Sequence, residues 1–242
     1  MKINDYTLNQ VKKIVLNKHD SFWVDYYDKI TELCEERSYK YIIELGTAGG
    51  ISARMFLANV IKQRGHLICI DAPGKYSITF PTNYQHGESD YELFFGIEKD
   101  FTDMNISLDE LFSYLTYYEC SAEQVLNNDI KIKKIITPFL KNVRKKTHSN
   151  YPFLGLLFDS YDLLHIDTGP HTYEQTCMWL NSEYVDRVRK NGCILLHDII
   201  NPDTHEGVKK AINNFLKNNN SKYDYSELLL NSAGLGILIK KE

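Results

Sequence analysis

The sequence lacks any run of about 18 apolar residues, the length that a membrane-spanning helix requires. Its first ten residues, MKINDYTLNQ, are polar and lack the apolar core of a secretory signal. Cysteine is scarce, and no C-x-x-C pair occurs among the five cysteines, Cys34, Cys69, Cys120, Cys177 and Cys193. We therefore expect a soluble, cytoplasmic protein whose cysteines are reduced and structural.

Positive charge is not in excess either. The chain carries 28 Lys and Arg against 32 Asp and Glu, which gives a formal net charge of −4. A protein that binds nucleic acid nonspecifically needs a basic face. The basic runs at 131–134 and 141–146 are more simply explained as the solvated ends of a strand and a helix. We expect a small-molecule partner, and neither nucleic acid nor membrane.

The most informative part of the chain is residues 41–52, with the sequence YIIELGTAGGIS. It is typical of a buried strand that carries an acid, breaks into glycines and leads directly into a helix. Such a turn lets the backbone approach a ligand closely and offers unpaired N–H groups to an anion. A second apolar run ends at Asp71, where parallel sheets place a carboxylate that binds ribose hydroxyls. Ala48 replaces the second glycine of a dinucleotide fingerprint, which disfavours a dinucleotide.

This pattern resembles the first motif of the class I S-adenosylmethionine-dependent methyltransferases. Its Glu-Leu-Gly-x-x-x-Gly-x-Ser form is similar to the catechol O-methyltransferase-like branch. In that family the glycines admit the methionine part of the cofactor, the turn and helix start hold its carboxylate, and the second-strand acid holds the ribose. The resemblance implies S-adenosylmethionine as the cofactor, bound by Glu44, Gly46, Thr47, Gly50, Ser52 and Asp71.

Short apolar runs alternate with helical patterns from residue 41 onward, which predicts a doubly wound α/β sheet. We predict strands near 41–46, 67–71, 132–137, 161–167 and 192–197, and a closing pair near 225–231 and 234–240. Helices are predicted within 1–40 and near 52–64, 138–147, 172–190 and 204–219. The expected fold is one Rossmann-like domain, residues 1–242, with a mostly parallel seven-stranded sheet and an antiparallel final strand.

The interval 72–130, between the second and third predicted strands, is too long for an ordinary crossover and is predicted to be an insert. It is rich in Tyr and Phe interleaved with acids. Three interpretations stay open: a lid over the substrate, an oligomer contact that would form a homodimer, or a satellite core made by the aromatic side chains.

Acids and histidines gather where the fourth and fifth predicted strands end, the edge at which open α/β sheets bind ligands. Strand alternation places Asp167 and Asp198 at equivalent ends, about 5 Å apart. Two carboxylates so close would repel unless a cation or a proton lies between them, and Mg²⁺ or another hard divalent ion would satisfy both. His171 follows a Gly-Pro turn at this edge and is the candidate general base, with helix capping as the alternative role.

The catechol O-methyltransferase-like family binds magnesium or a related ion through an Asp after the fourth strand and an Asp-Asn or Asp-Asp pair after the fifth. The resemblance therefore implies Asp167 and Asp198 as metal ligands, with Asp167 also in a catalytic role. Ile199 stands where the family has its second fifth-strand ligand. The third ligand is open, with Asn201 and Asp203 as the nearest oxygen donors.

Three further histidines lie on or near the same edge. His165, two residues before Asp167, is expected to be a hydrogen-bonded core histidine. His197 would hydrogen-bond the cofactor or a neighbouring loop, and His205 has no assigned role. The segment 165–198 more closely resembles bacterial methyltransferases that are related to cephalosporin-hydroxylase-like and macrolide-sugar O-methyltransferase proteins.

The resemblance implies an enzyme that moves the methyl group of S-adenosylmethionine to a hydroxyl of a small molecule, such as a sugar or a secondary metabolite. Two other functions stay open. One is a metal-dependent hydroxylase or hydrolase that uses the same acids with a bound water. The other is a cofactor-binding module without catalysis, in which the insert recruits a partner protein.

Overall fold

The computed structural model describes residues 24–47, 51–71, 113–119, 135–136, 159–169, 171–200, 206–228 and 234–241. The helices are α1 (Val24–Arg37), α2 (Ile51–Gln63), α3 (Tyr173–Leu180), α4 (Glu183–Asp186) and α5 (Glu206–Asn219). The strands are β1 (Tyr41–Leu45), β2 (His66–Asp71), β3 (Leu115–Glu119), β4 (Ile135–Ile136), β5 (Tyr161–Ile166), β6 (Val188–His197), β7 (Tyr223–Leu228) and β8 (Leu235–Lys240).

All of these strands form one sheet, in the order β4-β3-β2-β1-β5-β6-β8-β7. The central strands β3, β2, β1, β5 and β6 pair in parallel. The final strand, β8, runs antiparallel between β6 and β7. The predicted mostly parallel, Rossmann-like sheet with an antiparallel final strand is therefore confirmed, and the two-residue strand β4 adds an eighth member at the edge.

The two faces of the sheet carry separate apolar layers, because successive strand residues point to opposite sides. Ile42 and Leu163 pack with α1 and α2, in a cluster that includes Phe56. Ile43 and Leu164 pack on the other face, with side chains of α3, α4 and α5. The continuous apolar runs of the central strands follow from this burial on both faces.

The third strand lies earlier in the chain than predicted. Strand β3, at Leu115–Glu119, pairs in parallel with β2 and falls inside the interval 72–130 that we predicted to be an insert. The strand predicted at 132–137 is the short β4, which runs antiparallel to β3. Only one residue of β3, Leu115, is aliphatic, so its LTYYE sequence lacks the Val/Ile/Leu run by which the other strands were identified.

The prediction of a single helix at 172–190 is also wrong, because the helix that begins there is shorter. Helix α3 ends at Leu180, where the backbone N–H of Asn181 donates to Cys177 and Trp179, and the short α4 follows after Ser182. Strand β6 then begins at Val188 rather than at 192. Its first residues include Arg189, Lys190 and Asn191, all exposed, and such a polar stretch does not show the apolar alternation of a strand.

Several predictions fall outside the described residues: the helix at 138–147, the part of the N-terminal helical region before residue 24, and most of the predicted insert. Among the described residues, none of the helices is long and apolar enough to cross a membrane. Cys34, Cys69, Cys177 and Cys193 are free thiols, and burial raises the pKa of Cys193 to about 12.

Candidate active site

The turn after β1 is set directly against the end of β5. Gly46 has a φ of +82°, and a Cβ built on it would lie 1.9 Å from the carbonyl oxygen of Asp167. Its N–H donates to the Ile70 carbonyl at 2.8 Å, and the Asp167 N–H donates to the Leu45 carbonyl at 2.8 Å. Only glycine tolerates both this φ and this approach, so the predicted Gly46 position is a required feature of the turn.

Asp71 ends β2 beside the same turn. Its Oδ2 atom accepts a hydrogen bond from the backbone N–H of Thr47 at 3.2 Å. Helix α2 begins at Ile51 and carries no acid in its first turn, so its N-terminus presents positive partial charge at this edge of the sheet. Gly50, which we predicted to bind the cofactor, lies outside the described residues. We call the group formed by Gly46, Thr47, Asp71 and the start of α2 the cradle.

Glu44 lies beneath the cradle, with no exposed surface. One carboxylate oxygen accepts a hydrogen bond from Ser52 Oγ at 2.5 Å, and the other accepts from Cys69 Sγ at 3.4 Å. Nδ1 of the fully buried His165 lies 3.3 Å from Oε1 of Glu44. The prediction of His165 as a hydrogen-bonded core residue is confirmed, since its Nε2 pairs with Tyr26 Oη. Glu44 and Ser52 contact each other, so Glu44 would act on a ligand through Ser52.

A second cluster, the rim, is formed by Asp167, His171, His197 and Asp198 at the ends of β5 and β6. His197 Nδ1 donates to Asp167 Oδ1 at 3.0 Å and lies 3.5 Å from Asp198 Oδ1. His171 Nε2 lies 3.8 Å from Asp167 Oδ1 and 3.6 Å from Asp198 Oδ2. The predicted proximity of Asp167 and Asp198 is confirmed, and two imidazoles lie between their carboxylates.

Two rim residues have left-handed backbone conformations, with φ of 53° at His171 and 61° at Asp198. Such conformations cost a non-glycine residue about 1–3 kcal/mol and persist where surrounding structure imposes them. At His171 that structure is α3, whose N-cap Thr172 accepts a hydrogen bond from the N–H of Gln175. His171 therefore precedes the cap and is not the cap itself, so its ring is available to the rim.

A family model described as "Methyltransferase domain" matches residues 43–199, which include the cradle and the rim. The chain belongs to this methyltransferase family. The match runs from the middle of β1 to the residue after Asp198, and it agrees with the class I methyltransferase resemblance of the sequence motifs. No curated protein matches the sequence.

Solved structures share the fold of this methyltransferase at low sequence identity. The O-methyltransferase TomG from Streptomyces achromogenes, in complex with SAM, is 10% identical, with 98% of this chain and 91% of that chain covered and a TM-score of 0.55. An O-methyltransferase from Bacillus cereus, in complex with SAH, is 13% identical, with coverage of 97% and 90% and a TM-score of 0.54. The SAH-bound PaMTH1 from Podospora anserina is 13% identical, with coverage of 98% and 88% and a TM-score of 0.52.

In the rim of this methyltransferase, the Asp167 carboxylate and the His197 imidazole shift each other's pKa values. Burial alone would raise the pKa of Asp167, but the charge and hydrogen bond of His197 and the charges of His165 and His171 hold that pKa well below its ordinary value. Burial would lower the pKa of His197, but the charge and hydrogen bond of Asp167 and the charge of Asp198 raise it to about 9. Near neutral pH the rim therefore contains an imidazolium paired with the Asp167 carboxylate.

The pairing of His197 with Asp167 should make the stability of this methyltransferase depend on pH. Because the folded-state pKa of His197 is raised from 6.5 to about 9, its contribution is full below about pH 6.5 and is lost as the pH rises through about 9. In urea denaturation with a chelator present, His197→Gln should lower the free energy of unfolding by about 2 kcal/mol more at pH 6 than at pH 10. Equal losses at both pH values would contradict this pairing.

The donor atoms of the rim also fit a divalent cation. Asp167, His171 and Asp198 each offer one ligand atom, and the three atoms lie within 4.8 Å of one another. Ligands bound at about 2.1 Å to one cation lie about 3–4 Å apart, so small side-chain movements would complete the site. His171 is thus a candidate for the third ligand that the sequence left open. Ile199 is buried at 2% exposure and its side chain offers no ligand atom, and Asn201 and Asp203 lie outside the described residues.

Sequence reasoning missed the role of His197, which we expected to bond the cofactor or a loop. Leu196 is the register partner of Ile166, so the next residue on each strand, His197 and Asp167, come side by side. This pairing depends on strand register, which the irregularity between Tyr161 and Leu163 changes and which one sequence does not specify. His205 lies outside the described residues.

Proposed function

We propose that this protein transfers the methyl group of S-adenosylmethionine to a hydroxyl group of a small molecule. The observation that carries the proposal is the direct contact between the two halves of the site, since the Gly46 turn packs on the backbone of Asp167. A nucleoside held by the cradle would therefore present its sulfonium beside the acids and imidazoles of the rim. The SAM- and SAH-bound neighbours, which share the fold, support the choice of cofactor.

For this reaction the protein has to position the methyl donor and the acceptor and to remove the hydroxyl proton. The acceptor oxygen attacks the methyl carbon, the carbon–sulfur bond breaks with its electron pair going to sulfur, and the hydroxyl proton leaves. In the cradle, Asp71 would bind the ribose hydroxyls, and the N-terminus of α2 would face the carboxylate of the methionine part. At the rim, His171 is the group in position to accept the proton when no cation is bound.

The rim supports a second form of the same reaction, in which Asp167, His171 and Asp198 hold a divalent cation. A bound cation would lower the pKa of the acceptor hydroxyl. Two carboxylates with one imidazole suit Mn²⁺, Fe²⁺, Co²⁺ or Zn²⁺ as well as Mg²⁺, because imidazole is a poorer ligand for Mg²⁺. His197 would then orient the Asp167 carboxylate through its 3.0 Å hydrogen bond.

Such a donor set could also activate a water, as in the hydroxylase or hydrolase that the sequence left open. Methyl transfer is favoured because the family match covers both the cradle and the rim. The net charge of −4 supports a small-molecule acceptor over nucleic acid. A cytoplasmic location and a homodimer remain predictions from the sequence.

The test is the formation of SAH from S-adenosylmethionine in the presence of a panel of hydroxyl compounds, including sugars and phenols. We expect at least one acceptor to produce SAH at a rate well above the acceptor-free control. With a cation in the rim, EDTA should lower that rate by about 100-fold, and Mn²⁺ should restore it. Release of acid or hydroxylated product without any SAH would favour the hydrolase or hydroxylase instead.

A further inference from the structure

A chain of buried polar side chains connects helix α1 to the cradle. Tyr26, on the first turn of α1, is 4% exposed, and its hydroxyl lies 2.5 Å from Nε2 of His165. Nδ1 of the same imidazole lies 3.3 Å from Oε1 of Glu44, and this carboxylate accepts a hydrogen bond from the hydroxyl of Ser52. The helix before the sheet is therefore linked through three side chains to the start of α2.

The surroundings of the phenol indicate the direction of the hydrogen bond between Tyr26 and His165. Burial, and then the negative charges of Asp167 and other neighbouring groups, raise the pKa of Tyr26 well above its ordinary value, so the phenol keeps its proton. A protonated phenol donates, and an imidazole that accepts this hydrogen bond at Nε2 has its proton on Nδ1. The Nδ1 proton of His165 then faces the carboxylate of Glu44.

Tyr26 also contacts the rim. The centroid of its ring lies 4.8 Å from that of His197, the residue that donates to Asp167, and 6.1 Å from that of His165. One aromatic side chain thus supports an imidazole of the rim and hydrogen-bonds the imidazole that contacts Glu44. Hydrogen bonds join Tyr26 to His165 and Ser52 to Glu44, and the 3.3 Å contact between His165 Nδ1 and Glu44 Oε1 connects these two buried pairs, so the side chains restrict one another's orientation.

We infer that Tyr26 is a positioning residue which, through His165 and Glu44, holds Ser52 and the start of α2 in the geometry that binds the cofactor. The inference rests on the proposed function, because it assigns the cradle to S-adenosylmethionine. Without the phenol hydroxyl, His165 can take the other tautomer, in which the Nδ1 lone pair faces the Glu44 carboxylate. The two groups then repel, and Ser52 loses its fixed acceptor.

The test compares Tyr26→Phe with Tyr39→Phe. Both variants remove one phenol hydroxyl from a residue 4% exposed in the same apolar cluster, but Tyr39 precedes β1, at the opposite end of the strand from the cradle. Long-range ¹H–¹⁵N NMR of the histidine-labelled protein without ligand should show His165 as the Nδ1–H tautomer in the wild type and Tyr39→Phe. In Tyr26→Phe it should show a mixture, and calorimetry should show SAH bound about fivefold more weakly.

A second pair of variants keeps the inference testable if Tyr26→Phe is poorly folded. His165→Asn retains an N–H group near the position of Nδ1, whereas His165→Leu does not. We expect His165→Asn to bind SAH more tightly than His165→Leu.

Unchanged tautomer and unchanged SAH affinity in Tyr26→Phe, with a wild type that binds SAH, would contradict the positioning chain alone. Equal SAH affinity in the two His165 variants would contradict it too. A wild type that binds no SAH would contradict the proposed function instead.

Discussion

Replacing Asp167 with alanine should abolish divalent-cation binding and reduce methyl transfer by about 100-fold or more, while SAH affinity stays within about threefold of the wild type. The Asp167 side chain contacts His197 and His171, whereas only its backbone packs on the Gly46 turn. The substitution therefore removes the shared acid of the rim and leaves the wall of the cradle in place. Mn²⁺ binding followed by electron paramagnetic resonance, together with SAH calorimetry, measures the two effects separately.

The matched control for this substitution is Asp224→Ala. Asp224 lies on the edge strand β7, and its 71% exposed side chain pairs with Lys241 at the surface. This variant should keep cation binding, SAH binding and turnover. Full turnover in Asp167→Ala would remove the rim from the mechanism, whereas parallel loss of SAH affinity would show that the side chain supports the cradle.

Replacing Gly46 with alanine should lower the free energy of unfolding by about 3–5 kcal/mol and eliminate measurable SAH binding. The residue has a φ of +82°, and the added Cβ would lie 1.9 Å from the Asp167 carbonyl oxygen, which is backbone and has little room to move. Relief of this contact would push the turn away from β5 and separate the cradle from the rim. Urea denaturation and calorimetry measure the two consequences.

Gly169→Ala is the matched control on the same edge of the sheet. A Cβ at Gly169 would meet no heavy atom within 4 Å, so the change should alter the free energy of unfolding by no more than about 0.5 kcal/mol. Wild-type stability and SAH affinity in Gly46→Ala would mean that the turn does not hold the tight geometry on which the site depends.

Much of the fold follows from hydrophobic pattern alone. The central strands are buried on both faces, so each appears as a short continuous apolar run between helical periods, and β1, β2 and β5 lie within one or two residues of their predicted positions. Strand β3 escaped prediction because its LTYYE sequence offers aromatic and polar residues in place of aliphatic ones. Because β3 was not recognised, the interval after β2 was predicted to extend to residue 130, whereas it ends where β3 begins, at Leu115.

The site was predictable where it depends on chain direction and was not predictable where it depends on register. Asp71 ends β2, and Asp167 and Asp198 directly follow β5 and β6. The ends of parallel strands meet at one edge, so the grouping of these acids could be inferred from the sequence. The pairing of His197 with Asp167 depends on the register of β6 against β5. The contact of Tyr26 with His165 joins residues 139 positions apart, and no local pattern in the chain signals it.

The measurement that tests the central claim most directly is a calorimetric titration of the wild type and Asp71→Asn with SAH. If the cradle binds the cofactor's nucleoside, the wild type should bind one SAH with a micromolar Kd. Asp71→Asn should bind about tenfold more weakly, because an amide accepts ribose hydroxyls less strongly than a carboxylate. No heat of binding in the wild type, or equal affinities in the two proteins, would contradict the assignment of the cradle.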